Sequence, residues 1–404
     1  THPLAFSVTC PRRSMRRVGL ALVLIMILPS VFAAPEAITE LTMERKLSDW
    51  DLGLDGGELS PDNQKVLIFG AEGYSRLIDA NSAGVATTDI ELEKQSSSDL
   101  KDATWHPRGL TALMVGDSAT VLRYVGQTNA IEPVSGTTAL DGKDLTAVMW
   151  RQAGDQAYVG GDDGSLWSYS ESNGFVKLDQ DASSRITDIA CHKSQNICVV
   201  SSLNDGVAVI AKNDDVTWIS KARAHTWVGV ACEDGSANYC SGFASGRKAV
   251  EIELNMNDPS ATTIGDPVIL GQLEGDFIAD SSGSGSESLL ALGPLGLVRW
   301  NQYTGEAFLM FSNNESTELD ILFGGDSFIV AWENSRNDGF IITDEGRIVS
   351  FIPSEEVVET NMVELIVSIV VGISVPGVFL GMIYWNSPWL QRKYKALFSK
   401  KKKS

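Results

Sequence analysis

The segment ATWHPRGLTALMVGDSATVLRY, residues 103–124, contains the pattern on which the fold depends. A short apolar strand is predicted to end at Trp105, a polar turn follows, and a second strand is predicted over 111–115. Gly116 interrupts the apolar run, and a third strand is predicted over 121–124. The segment therefore has the pattern of consecutive antiparallel strands joined by short turns.

The same order of strands and turns recurs along the chain. With Trp105 marking the end of the first strand of a unit, the corresponding positions are Leu59, Trp105, Trp150, Cys191, Cys232, Asp280 and Phe323. A period of about 40 to 50 residues with several strands per unit is typical of a β-propeller. The predicted fold class is all-β, a seven-bladed β-propeller over residues 51–353.

Each unit also has predicted third and fourth strands. The third strands are predicted at 76–79, 121–124, 166–169, 207–210, 250–254, 297–300 and 340–343, and weaker fourth strands at 175–178, 216–219 and 348–351. A glycine follows the second strand at Gly70, Gly116, Gly160, Gly242 and Gly293. We expect these glycines to permit a tight turn or a positive φ before the third strand.

One four-stranded sheet cannot cover both of its apolar faces, so neighbouring units must stack and close into a ring. We expect the acidic lead-in, residues 35–50, to pair with the last unit, and the tryptophans of the units to pack between blades. The serine- and glycine-rich run 281–288 is expected to lengthen the first turn of the sixth unit as a mobile loop.

This organisation resembles the WD-repeat and YVTN-type β-propellers over roughly residues 50–353. The phrase LMVGDSATVLR at 113–123 is similar to repeats of photosystem-assembly and sialidase-type propellers, and the YTGE turn at 303–306 to repeats of quinone-enzyme propellers. The resemblance implies an architecture whose members bind proteins, glycans, metals or substrates, so function has to be argued from the sites.

The N-terminal residues 1–34 have the features of an export signal. Arg12, Arg13, Arg16 and Arg17 precede an apolar run over 18–28, and small residues at 31–33 are typical of a cleavage site. Met15 is a natural start, which leaves 1–14 as upstream sequence or an extended basic region. An uncleaved anchor helix is the alternative, although the apolar run is shorter than the roughly 20 residues that span a bilayer.

Beyond the repeats, an acidic stalk over 354–364 leads into a predicted transmembrane helix from Leu365 to Tyr384, which contains no charged residue. Trp385, Trp389 and Tyr394 are expected at the membrane interface. The tail 385–404 carries the basic anchor Arg392, Lys393, Lys395, Lys400, Lys401, Lys402 and Lys403. Because basic flanks tend to remain cytoplasmic, the predicted topology is single-pass type I in the cell membrane, with the propeller outside.

Two further interpretations concern this region. Gly377 and Gly381 have the four-residue spacing that lets two membrane helices approach closely, which would permit a homodimer. If the host is eukaryotic, Lys401 and Lys402 resemble a dilysine retrieval signal. The propeller would then face the lumen of the endoplasmic reticulum as an assembly factor.

Four cysteines form two local pairs, Cys191 with Cys198 and Cys232 with Cys240, and each pair flanks the first turn of its unit. Residues facing each other across a hairpin are close enough for a disulfide, and an exported domain retains such bonds. We therefore predict two disulfides. The alternative is a zinc site that combines these cysteines with His192 or His225, although the gaps differ from the usual ligand spacing.

Composition narrows the function class. The formal net charge is -20, while residues 1–34 and 365–404 contain no acid, so the middle of the chain is strongly acidic. Such a surface argues against nucleic-acid binding, which requires a basic face. No nucleophile elbow, metalloprotease helix, phosphate loop or calcium loop occurs, so we predict no catalytic, cofactor or metal residues. Asn314 is a glycosylation candidate.

The function predicted is therefore a non-enzymatic, membrane-anchored binding or scaffolding module for a protein or an envelope polymer. The alternative is an extracellular glycan hydrolase or lyase that gathers carboxylates from different units at the propeller channel. That alternative predicts two acids from different units at one place in the channel, one of them with a raised pKa.

Overall fold

The computed structural model describes residues 39–194, 196–232, 237–271, 273, 275–282, 287–293, 296–312, 325–353, 378 and 381–400. These residues fall into two compact units, one ending at Ser354 and one beginning at Glu355. The predicted signal peptide, the glycosylation candidate Asn314, the stalk and Lys401–Lys403 lie outside the described residues, as do Gly377 and most of the predicted span.

The first unit contains seven antiparallel sheets, which we number as blades 1 to 7. Blades 1 to 3 consist of β2 (Leu54–Leu59), β3 (Lys65–Gly70), β4 (Ser75–Asp79) and β5 (Ile90–Glu91); β6 (Leu100–Trp105), β7 (Thr111–Gly116), β8 (Thr120–Val125) and β9 (Ala130–Pro133); and β10 (Leu145–Trp150), β11 (Ala157–Gly161), β12 (Leu166–Ser170) and β13 (Gly174–Lys177). Blades 4 and 5 consist of β14 (Ile186–Cys191), β15 (Cys198–Ser202), β16 (Gly206–Ile210) and β17 (Val216–Trp218); and β18 (Trp227–Cys232), β19 (Tyr239–Ala244), β20 (Lys248–Glu253) and the split outer strand β21 (Thr263–Ile264) and β22 (Val268–Ile269). Blades 6 and 7 consist of β23 (Asp276–Ser282), β24 (Glu287–Gly293), β25 (Gly296–Asn301) and β26 (Glu306–Ser312); and β27 (Phe328–Ser335), β28 (Asp338–Thr343), β29 (Arg347–Pro353) and β1 (Thr39–Lys46).

The seven sheets form a closed ring. The first strand of each blade contacts the first strand of both neighbouring blades, and β27 of blade 7 contacts β2 of blade 1. These seven strands therefore surround the axis and border the central channel. Loops between blades and turns between second and third strands share one side of the ring, which we call the upper face. The other turns lie on the lower face.

The ring is closed by the N-terminal strand, as predicted for the lead-in. β1 pairs antiparallel with β29, so Thr39 lies opposite Pro353, and β1 supplies the outermost strand of blade 7. Arg45 then joins this strand to blade 1, because its guanidinium donates to the Ala83 carbonyl and to Asp89 Oδ1, both at 2.8 Å. Closure by strands from both ends of the domain leaves no blade incomplete.

The alignment predicted for the last two units is wrong. In blade 7 the segment predicted as the third strand, 340–343, belongs to the second strand β28, and 348–351 belongs to the third strand β29. Register places Ser282 and Glu333 at the position that corresponds to Trp105, instead of Asp280 and Phe323. In blade 7 the cause is the N-terminal origin of the fourth strand, since the sequence after β26 then holds three strands where four were expected. In blade 6 the first strand ends two residues later than predicted. Phe323 itself lies outside the described residues.

The positive φ predicted for the recurrent glycines is also wrong. None of the five has a positive φ. Instead each permits close approach of another group. A Cβ at Gly70 would lie 2.1 Å from the Gly53 carbonyl oxygen and one at Gly116 would lie 2.0 Å from the Asp99 oxygen, whereas at the other three positions the nearest group is a side chain. At Gly70 and Gly116 a side chain would therefore push the second strand away from the first.

The hydrophobic core lies between neighbouring blades. Leu113 and Val115 of blade 2 pack in one cluster with Trp150 of blade 3, and the Trp105 indole N–H donates to the Glu58 carbonyl of blade 1 at 3.0 Å. Burial of such large side chains contributes roughly 1.5–3 kcal/mol each. Trp50 is the exception to the predicted core role, since 74% of it is exposed.

Both predicted disulfides are present. Cys191 is bonded to Cys198 across the β14–β15 hairpin, and Cys232 to Cys240 across β18–β19. Each pair occupies directly opposed positions of its hairpin, so the bond pins the lower end of the blade's first two strands. Because the cysteines are bonded to each other, the zinc alternative is wrong.

The serine- and glycine-rich loop of blade 6 is shorter than predicted. β23 and β24 continue into both ends of the run, with Ser282 opposite Ser288, so only 283–286 remain between the strands and lie outside the described residues.

The second unit contains α1 (Pro388–Lys400), which follows a helical segment at 381–386. In the part of this unit that the structure describes, and in the ring, no helix has both the length and the apolar character needed to cross a bilayer.

Candidate functional site: the central channel and the upper face

A bulge recurs at the upper end of the first strand of every blade. The register shifts by one residue after the first or second pair of each strand, so one extra residue lies at the bulge in each blade. We call these seven positions the bulge ring: Asp55, Lys101, Thr146, Thr187, Val228, Ile278 and Ile329. The ring is polar in blades 1 to 4 and aliphatic in blades 5 to 7.

Contacts within the bulge ring connect neighbouring blades. Lys101 Nζ lies 2.7 Å from Asp55 Oδ2 of blade 1, and the Thr146 hydroxyl donates to the Ile186 carbonyl of blade 4 at 2.7 Å. Burial lowers the pKa of Lys101, but the hydrogen bond to Asp55 and the nearby acids outweigh burial and raise it above its ordinary value. Lys101 is therefore a fixed positive charge among acids at this end of the channel.

Two aspartates at equivalent positions each bind the next blade through its main chain. Asp102 accepts from the Ala103 N–H at 2.8 Å and from the Val148 N–H of blade 3 at 2.6 Å. Asp188 does the same with the Ile189 N–H at 2.7 Å and the Val230 N–H of blade 5 at 2.8 Å. Both carboxyl groups therefore hold adjacent first strands together.

Glu58 of blade 1 is an acid of the inner strands that acts electrostatically together with Asp102 and Asp188. The charges of Asp102 in blade 2 and Asp188 in blade 4 act on Glu58, and because blades 1 and 4 are not neighbours, Glu58 and Asp188 can be close only across the channel. Within the described residues the Glu58 carboxyl forms no hydrogen bond, in contrast to Asp102 and Asp188. Glu58 is thus the acid of the three whose carboxyl oxygens have no hydrogen-bond partner in the described part of the chain.

Burial controls the charge of this cluster. Desolvation raises the pKa of Asp102 to about 8, and the charge of Asp188 adds to the effect, while the Val148 and Ala103 N–H groups oppose it. Desolvation, with the charges of Asp102 and Asp188, also raises the pKa of Glu58 well above its ordinary value. Asp102 is therefore mainly protonated at neutral pH, and Glu58 retains its proton to higher pH than an exposed glutamate does.

Two histidines on the lower face also contact the main chain of a neighbouring blade. His106 Nε2 lies 3.0 Å from the Gly154 carbonyl of blade 3, and the buried His192 Nε2 lies 2.6 Å from the Ala237 carbonyl of blade 5. Because His106 and His192 occupy equivalent turns, the geometry is a repeated contact between blades. Among the described residues, no group of three potential ligands is placed to hold a metal ion.

The surface of the ring exposes single large apolar side chains on both faces. On the upper face Trp50 is 74% exposed and Ile278 of the bulge ring is 40% exposed. On the lower face the corresponding side chains are Tyr303 and Leu110, at 66% and 58%. Exposed aromatic side chains are frequent anchors of protein interfaces.

A shallow pocket of about 190 Å³ lies beside the split outer strand of blade 5. Its walls include Lys221, His225 and Asp266, and burial together with Lys248 lowers the pKa of His225. The His225 Nδ1 atom is buried without a hydrogen-bond partner in the described part of the chain, and it is closed off from solvent. A ligand in the pocket would therefore not reach this atom unless the surrounding loop moved.

Comparison with solved structures places this geometry in a known architecture. Virginiamycin B lyase from Staphylococcus aureus is similar with a TM-score of 0.59 and 11% sequence identity, over 78% of this chain and 100% of that chain. The β-propeller domain of Myceliophteria thermophila Cps50 (Swd1) is similar with a TM-score of 0.60 and 11% identity, over the same shares. The chain is a seven-bladed β-propeller. No protein-family model matches the sequence, and no curated protein matches it significantly, so the likeness concerns the fold alone.

The channel acids were not among the residues singled out from sequence. Asp102 and Asp188 each precede a turn histidine by four residues, at His106 and His192, and this repeated spacing is the signal that identifies them. Glu58 has no such partner, because in a chain with 52 acidic residues a single glutamate on a strand carries no signal.

Proposed function

We propose that this protein is a membrane-anchored, extracytoplasmic scaffolding propeller that binds a protein or an envelope polymer through its upper face. The observation that carries the proposal is the exposed indole of Trp50 on that face, where it contacts solvent over most of its surface. Ile278 adds an apolar side chain at the channel mouth, while acids surround Lys101 on the opposite half of the bulge ring. An apolar anchor beside charged groups suits recognition of a folded partner.

The two disulfides support the proposed location. Cystine bonds persist in oxidising compartments, and both hairpin bonds form between residues that face each other in the strands. The signal-like N-terminus and the uncharged stretch 365–384, followed by seven basic residues, support export with the tail in the cytoplasm.

Crosslinking in native membranes tests the partner and the face together. The protein is crosslinked mildly, solubilised, purified through a tag on its C-terminal tail and analysed by mass spectrometry. We expect a stoichiometric partner that is lost in Trp50→Ala and retained in Tyr303→Ala, which removes an exposed aromatic from the lower face. Recovery of no other protein, or equal recovery with Trp50→Ala, would overturn the upper-face binding site.

Channel chemistry is a second candidate function, favoured by one observation. Glu58 is a carboxyl with a raised pKa, without a hydrogen-bond partner among the described residues and near two further acids, and a carboxylic acid of raised pKa is what general acid catalysis of glycan cleavage uses. Purified protein is assayed against a panel of acidic and neutral polysaccharides. If the channel is an active site, Glu58→Gln lowers the rate by about a hundredfold or more, while Asp162→Asn in a surface turn leaves it unchanged. No cleavage by the native protein would remove this candidate.

A further inference from the structure

The C-terminal helix α1 is basic on one side and apolar on the other. Arg392, Lys393 and Lys395 lie within its first two turns, and residues 365–404 contain no acid. Positions 390, 394, 397 and 398 are apolar in the sequence and share one face by their spacing of four, seven and eight residues. Helices of this pattern lie in the interface of a membrane with the apolar face toward the acyl chains.

A break separates α1 from the helical segment before it. The Ser387 hydroxyl accepts from the Leu390 N–H at 3.4 Å as a helix cap, and Pro388 follows as the first helical residue. The Gln391 amide donates to the carbonyls of Tyr384 and Trp385 at 3.2 and 3.0 Å, which satisfies the end of the preceding segment. The sequence therefore builds two helical pieces with a capped junction.

An aromatic contact shows that the chain changes direction at this junction. The rings of Tyr384 and Tyr394 lie 5.4 Å apart, centroid to centroid. In an uninterrupted helix, positions ten residues apart are separated by about 15 Å along the axis, which is too far for such a contact. Helix α1 therefore does not continue along the axis of the segment that precedes it.

The exposed side chains of this region combine aromatic and cationic groups. Trp385 and Trp389 are 81% and 62% exposed, and Lys393 Nζ lies 4.5 Å from the centre of the Trp389 ring. Indole rings prefer the depth of the lipid headgroups, and adjacent ammonium groups bind anionic headgroups. The charge of α1 is thus complementary to an anionic bilayer surface.

We propose that α1 binds anionic phospholipid headgroups and lies along the membrane surface just after the span. The inference rests on the proposed function, which places α1 next to a membrane. The dependence of α1 binding on lipid charge is a separate claim. The apolar face covers acyl chains, Trp385 and Trp389 occupy the headgroup layer, and Arg392, Lys393 and Lys395 bind phosphate groups.

Hydrogen exchange on the full chain in liposomes tests this proposal. The vesicles contain phosphatidylcholine alone, or phosphatidylcholine with about one third phosphatidylglycerol. We expect amides of 389–400 to exchange about tenfold more slowly in the anionic vesicles at low salt, and this protection to disappear at high salt. Equal exchange in the two vesicles would overturn the proposal, as would the same protection by inorganic phosphate with phosphatidylcholine alone.

Matched variants distinguish headgroup binding by α1 from anchoring by the span and from a general effect of the protein's net charge. In R392Q/K393Q/K395Q the protection is lost, since glutamine preserves helix propensity but not charge. The control K94Q/R108Q/K212Q removes the same charge from exposed positions of the ring and keeps the protection. Flotation with phosphatidylcholine vesicles tests the span independently. If the chain floats only with anionic vesicles, the transmembrane span is refuted and headgroup binding by α1 is supported. If it floats with both kinds of vesicle but exchanges equally in them, only headgroup binding by α1 is refuted.

Discussion

Individual carboxyl groups in this ring bind main-chain N–H groups of the neighbouring blade. Asp102 and Asp188 do so inside the channel, and Asp276 does so on the upper face, where it accepts from the N–H groups of Gly246 and Arg247 at 2.9 Å. An acidic side chain can satisfy main-chain donors that lack a partner in the adjacent strand. Part of the high acid content therefore serves assembly of the ring rather than solubility.

The raised pKa of Asp102 makes stability depend on pH. Between about pH 4 and 8 the folded protein retains a proton that the unfolded chain releases, so this group lowers the free energy of unfolding as pH rises. Asp102→Asn removes its contribution, and we expect a smaller decrease in unfolding free energy from pH 5 to pH 8 than in the native protein. Urea unfolding at several pH values measures this decrease in both proteins.

Other groups have to be separated from this effect. Glu58 acts in the same direction, whereas His225, whose pKa is lowered, stabilises the fold as pH rises through its unfolded value. The quantity to compare is therefore the difference in unfolding free energy between native and variant proteins at each pH, with Asp162→Asn in an exposed turn as control. An identical pH dependence of Asp102→Asn and native protein would show that Asp102 is ionised throughout this range.

At the scale of single elements, the hairpin disulfides and the closing strand stabilise the ring by different means. The disulfides were predictable because two cysteine pairs flank equivalent turns, so strand pairing alone brings them together. The role of Gly70 and Gly116 was not predictable, since it depends on how closely the first strand approaches, which no local pattern records.

Each hairpin disulfide closes a short loop, so its contribution is modest. We expect Cys191→Ser/Cys198→Ser to lower the free energy of unfolding by about 2 kcal/mol, with the ring still folded. Thiol counting under denaturing conditions without reductant should detect none of the four ring cysteines. Four reactive thiols would contradict an oxidised ectodomain.

The closing strand offers a pair of adjacent variants. Arg45 is largely buried against Asp89, whereas the neighbouring Lys46 meets Glu345 at a more exposed site. We expect Arg45→Met to lower the free energy of unfolding by about 2 kcal/mol, because it removes two hydrogen bonds between blades 7 and 1. Lys46→Met should cost less than about 1 kcal/mol. Equal effects in chemical denaturation would show that Arg45 does not secure the closure.

For the whole molecule, the repeat period was enough to predict the number of blades, and the lead-in was enough to predict closure. The alignment of blade 7 failed because its fourth strand comes from the other end of the domain, at Thr39–Lys46. The channel acids come from blades 1, 2 and 4, and only assembly of the ring brings Glu58 toward Asp188, which lies three blades further along the chain.

Sidedness in intact cells is the most direct test of an anchored, outward-facing propeller. Single cysteines are introduced at Ser172, in an exposed lower-face turn, and at Ser404 in the tail, and cells are treated with a membrane-impermeant maleimide. We predict that Ser172→Cys reacts in intact cells and Ser404→Cys only after lysis, because the ring is proposed to lie outside and the tail inside. The four ring cysteines are bonded in pairs and do not react with the maleimide. Labelling of Ser404→Cys in intact cells, or protection of Ser172→Cys until lysis, would contradict the account.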